Sequence, residues 1–79
     1  MNKAVEHYID RAETGLAIYN AIHNAEYTQA EISRIMDVPP CMVSRWATGR
    51  HIPDMDSLAH LADIVGVSVD SLLIRRKKK

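Results

Sequence analysis

Thr28-Gln29-Ala30-Glu31-Ile32-Ser33-Arg34-Ile35-Met36-Asp37-Val38-Pro39-Pro40-Cys41-Met42-Val43-Ser44-Arg45-Trp46-Ala47-Thr48-Gly49 decides the fold of this chain. Thr28 followed three residues later by Glu31 is a capping box: each side chain accepts the other residue's backbone N–H at a helix start. A helix from about 28 to 37 follows, burying Ile32 and Met36 with small Ser33 beside them. Pro39-Pro40 cannot lie inside a helix but suits its first turn, so a second helix is expected from about 39 to 48. Its inward residues are Val43 and Trp46 or Ala47, and Gly49 supplies a left-handed stop. Asp37 occupies the turn, where Asp tolerates a left-handed backbone better than most side chains. A turn this short does not return two helices side by side. They cross steeply, as in a helix-turn-helix pair.

Working outward, Ala4 to about Asn24 carries apolar residues at Val5, Tyr8, Ile9, Ala12, Leu16, Tyr19 and Ile22, which is helical spacing. Thr14-Gly15 interrupts it, giving one helix with a weak point or two short ones. On the other side, His51-Ile52-Pro53 reads as a loop. Asp54 caps a fourth helix with Leu58, Leu61, Ala62 and Val65 on one face, stopped by Gly66. Ser68 caps a short last helix carrying Val69, Leu72 and Leu73. The expected architecture is all-α, a compact five-helix bundle with an N-terminal helical extension. It spans residues 1–74 as one domain, with 75–79 as a basic tail.

Composition agrees. Seventy-nine residues make one small domain, and an apolar fraction of 47% is too high for a disordered chain. With no Phe, the core must be aliphatic. The single cysteine, Cys41, forbids an internal disulfide and argues against a cysteine-based zinc site. No signal-peptide core and no membrane-length apolar run are visible, so a soluble, cytoplasmic protein is expected. Charge is uneven. Arg75-Arg76-Lys77-Lys78-Lys79 holds five positive charges and the chain sums to zero, leaving an acidic body.

Three stretches resemble the Cro/repressor-type (XRE-like) DNA-binding family. Thr28-Gln29-Ala30-Glu31-Ile32-Ser33 resembles the opening of that family's motif, and Val43-Ser44-Arg45-Trp46-Ala47-Thr48-Gly49-Arg50 the end of its recognition helix. Leu58-Ala59-His60-Leu61-Ala62 with Gly66-Val67-Ser68-Val69-Asp70-Ser71-Leu72-Leu73 is similar to its closing helices. The likeness covers about residues 15–73. It departs at Asp37, where the family usually has Gly, at Ala47, where it often has an acid, and at Pro39-Pro40, where it commonly has polar residues.

The resemblance implies a lambda-repressor/Cro-like fold and a transcriptional regulator that reads a double-stranded DNA operator. Its recognition helix enters the major groove, placing Pro40, Cys41, Ser44 and Arg45 toward the bases with Met42 at the margin. The Arg45 guanidinium matches the two acceptors of guanine; the alternative is a solvated arginine. Gln29 is expected to grip a phosphate at a helix start, and Ser44, Thr48 and Arg50 to donate to the backbone. Cys41 and Pro40 offer apolar contact, and Trp46 reads as a core or edge anchor rather than a base stacker. The tail is a phosphate-seeking arm or a solubilising end.

One such helix contacts few base pairs, so a homodimer on an inverted repeat is expected, with the N-terminal helix (Val5, Tyr8, Ile9, Ala12) as candidate dimer surface or as a lid on the core. The acidic body favours a second reading, a protein-interaction module such as an antirepressor or antitoxin-like partner. His7, His23, His51 and His60 are scattered without metal-ligand spacing. No nucleophile–base–acid set suggests an enzyme, and no cofactor is implied.

Overall fold

The structure, a computed structural model, describes residues 7–77. Its elements run β1 (His7–Ile9), α1 (Arg11–Asn24), α2 (Gln29–Met36), α3 (Pro40–Thr48), α4 (Met55–Val65), α5 (Val69–Leu72) and β2 (Arg75–Lys77). The five expected helices are present, and their ends follow local chemistry. Thr28 and Glu31 form the capping box, with Glu31 N–H donating to Thr28 Oγ1 at 3.0 Å and Thr28 N–H to Glu31 Oε1 at 2.8 Å. Asp54 and Ser68 accept the N3 amides of α4 and α5 in the same way. Gly49 and Gly66 close α3 and α4 in the left-handed region, at φ 77° and 76°.

The N-terminus requires a correction. The helical extension is absent over residues 7–10: His7–Ile9 is a strand, and α1 starts at Arg11 with Asp10 as its cap, accepting from Glu13 N–H at 3.0 Å. Strand β1 lies antiparallel to β2 with His7 opposite Lys77, Tyr8 opposite Arg76 and Ile9 opposite Arg75. The fold is therefore five helices plus a two-stranded ribbon rather than purely α. Three of the five residues read as a tail belong to that ribbon. Periodicity along the chain could not show this, because the pairing joins His7–Ile9 to Arg75–Lys77 at the far end of the sequence. Ala4 and Val5, read as the start of the helix, lie outside the described residues, as do Lys78 and Lys79.

The inward face of α1 also differs from expectation. Thr14, Gly15, Ile18 and Ile22 are buried, while Leu16 and Tyr19 are about half exposed. Thr14-Gly15 is no break. Gly15 is where α1 meets the end of α3: a Cβ there would fall on the backbone of Gly49, 2.8 Å from its Cα. Thr14 Oγ1 accepts from Ile74 N–H at 2.9 Å, and Asp10 N–H donates to the Ile74 carbonyl at 2.9 Å. These bonds hold the ribbon's base to α1. The core joins Ile18 and Ile22 of α1, Ile32 of α2, Val43 and Trp46 of α3, Leu58, Leu61 and Ala62 of α4, and Leu72 of α5. Trp46 is 2% exposed and its Nε1–H has no partner among the described residues, so it serves as an apolar anchor.

Candidate nucleic-acid interface

The surface of interest is built by the α2–α3 pair. Helix α2 stops at Asp37, which adopts the left-handed backbone at φ 58°, ψ 48°. Asp37 N–H returns to Arg34 O at 3.3 Å and Val38 N–H to Ser33 O at 3.0 Å, sealing the helix end. Pro39 is extended (φ −60°, ψ 144°), and Pro40, the first residue of α3, needs no amide donor. Three residues therefore redirect the chain.

Helix α3 then divides its residues sharply. Val43, Trp46 and Ala47 face the core. Pro40, Cys41, Ser44, Arg45 and Thr48 are exposed, a spacing of i, i+1, i+4, i+5 and i+8 that forms one continuous outward face. Met42 is half-buried against the core. The helix contains no acid, so Arg45 sets the charge of that face. Thr48 Oγ1–H donates within the helix to Ser44 O at 3.0 Å and Arg45 O at 3.2 Å. Its one proton is thus spent, and an outside acceptor gains it only if those bonds open. Past Gly49, Arg50 is exposed, with its own N–H on Arg45 O at 3.0 Å.

Gln29 is the first residue of α2 and is half-buried. The capping box satisfies the amide of Glu31 and leaves those of Gln29 and Ala30 at the helix's positive end. Gln29 borders a surface hollow of about 210 Å³ that also involves Tyr19, Ile22, His23, Tyr27 and Thr28. The rings of Tyr19 and His23 stack in parallel along its wall, centroids 6.4 Å apart. The sequence reading missed this feature because it turned Tyr19 inward; the i, i+4 spacing of Tyr19 and His23 was the available signal.

Among the described residues no three His, Cys, Asp or Glu side chains come together as a metal cage. No described helix is long and apolar enough to cross a membrane. Two carboxylates are held below their ordinary range. Asp10 is lowered by the Glu13 backbone amide and then by Arg76, which donates to it across the ribbon's base. Asp54 is lowered by the Ser57 backbone amide.

No protein-family model matches the chain, and no curated protein matches its sequence. Among solved structures it is similar to the crystal structure of the clp gene regulator ClgR from C. glutamicum, with a TM-score of 0.70, 24% identity, and coverage of 78% of this chain and 80% of that one. The mostly helical five-helix architecture described above is therefore one it shares with that regulator.

Proposed function

We propose that this chain is a Cro/repressor-type (XRE-like) transcriptional regulator that binds double-stranded DNA sequence-specifically, as a homodimer on an inverted-repeat operator. The observation that carries the reading is the outward face of α3. Five exposed residues starting at the helix N-terminus stand opposite three buried ones, on a helix turned away from α2 by a three-residue link. In this reading α3 lies in the major groove. Arg45 forks onto a guanine, Ser44 reaches the bases or the backbone, and Pro40 and Cys41 meet apolar edges such as a thymine methyl. Gln29, with the free amides beside it, holds a phosphate, and Arg50, with Thr48 once its internal bonds open, donates to the backbone from the far end of α3. The action is binding without catalysis. Kinship of fold with a gene regulator supports the reading.

Selection of bound duplexes from a random library tests it. The expected result is an inverted repeat with half-site centres about 34 Å apart, and loss of preference at one position per half-site in Arg45→Ala. Recovery of no motif, with Arg45→Ala indistinguishable from the parent, would overturn it.

The acid excess of everything before residue 75 supports a second reading, a protein-interaction module of antirepressor or antitoxin-like kind. It expects no selected motif and a protein ligand on the same α3 face.

A further inference from the structure

The ribbon has two free edges, and they are unlike. Asp10 N–H donates to Ile74 O, so residues 10 and 74 form a hydrogen-bonded pair. Pairs alternate along an antiparallel ladder, which makes Tyr8·Arg76 the next bonded pair and His7·Lys77 and Ile9·Arg75 the open ones. The backbone N–H and C=O groups of His7 and Ile9 therefore point away from β2, and those of Arg75 and Lys77 point away from β1. Strand β2 reads Arg-Arg-Lys, the charged sequence that blocks an edge from pairing. Strand β1 reads His-Tyr-Ile, formally uncharged at pH 7 and rich in strand-forming side chains. Among the described residues nothing pairs with its outer edge. Tyr8 is 51% exposed and Ile9 39% exposed, in a two-stranded sheet that is marginal in water by itself.

We infer that β1 pairs antiparallel with β1 of a second copy, giving a four-stranded sheet ordered β2-β1-β1-β2. This deepens the homodimer named above and rests on that reading for its purpose. A two-fold contact brings the same strand against itself in opposite directions, which is the antiparallel arrangement. The outward groups of His7 and Ile9 fix the register: His7 bonds Ile9 of the other copy, twice over, with Tyr8 facing Tyr8 on the axis. That central pair covers the exposed rings with each other. Joining through β2 instead would set six cationic residues side by side, so charge selects β1 as the seam.

The experiment measures self-association of the full chain without DNA. So short a seam belongs with small, weak interfaces, so sedimentation runs across about 10 μM to 1 mM. The parent is expected to dimerise. Ile9→Pro removes one outward donor and leaves the Tyr8·Arg76 bonds in place; it is expected to weaken dimerisation at least tenfold, whereas Ile9→Val, which keeps the N–H, does not. Helical circular dichroism confirms that each variant is folded. Independently, Tyr8→Cys in a Cys41→Ser background is expected to form an intermolecular disulfide with oxidised glutathione, since opposed non-bonded residues sit about 4.5 Å apart at Cα, within disulfide reach. A parent that stays monomeric overturns the inference. So does a dimer indifferent to Ile9→Pro, or one that Tyr8→Cys does not cross-link. Base preference is read separately through Arg45, so failure of the seam and failure of the DNA reading are distinguishable.

Discussion

Arg45 stands on α3 one turn past its start, exposed, on a helix with no acid to divert it. If it forks onto a guanine, Arg45→Ala costs about 1–3 kcal/mol of binding and relaxes one base position. Arg45→Lys keeps the charge but loses the fork, so selectivity should fall more than affinity for random duplex. Fluorescence anisotropy on matched and scrambled sites measures both. At Asp10 the question is pH. Its folded pKa lies below the ordinary value, so its contribution is complete above the ordinary carboxylate range and is lost as pH falls through the folded value. The prediction is a melting temperature that drops as pH falls below about 4, with a shallower drop in Asp10→Asn. An acid slope unchanged by that substitution would count against the Asp10 cap and its link to Arg76.

At the scale of elements, α1 is pressed against the end of α3 with no room at Gly15. Gly15→Ala drives a methyl into the Gly49 backbone, which has no flexible end to move aside. The expected loss of about 1–3 kcal/mol reads out in urea denaturation, even though Ala usually stabilises a helix. On the same helix, Ile18→Ala should cost about 2–5 kcal/mol and Leu16→Ala about 0.5 or less, because only the first empties core. That pair marks the limit of what the sequence disclosed. Helix ends were legible, since Thr28, Glu31, Asp54, Ser68, Gly49 and Gly66 act on backbone within a few residues. So were the turn at Asp37 and the buried face of α3 around Trp46. The face of α1 was misassigned because Leu16 and Tyr19 line up with Ile22 as a stripe, while the true one runs from Thr14 and Gly15 through Ile18 to Ile22. Strands β1 and β2 left no local trace, because each is three residues long and needs the other. For the candidate site, exposure of the α3 residues was foreseen. The internal commitment of the Thr48 proton and the hollow beside Gln29 were not.

For the whole molecule, the decisive closure is Thr14 with Ile74. Thr14 is fully buried, and its hydroxyl both accepts the Ile74 amide and donates to its carbonyl at 3.3 Å. Thr14→Val keeps the shape and strands that amide. It should cost about 1–3 kcal/mol and raise hydrogen exchange at Ile74 before exchange in α2 and α3 changes. Uniform acceleration through all five helices would contradict a clasp confined to this end.

Because Ile74 holds both Asp10 and Thr14, the two ends of the described chain are neighbours. A hairpin loop of about two to five residues would bridge 77 to 7 and let new termini be cut in the loop before α4, around His51 and Ile52. Such a circular permutant would keep every helix whole, and the order in which the genetic message lists them would cease to matter to the shape.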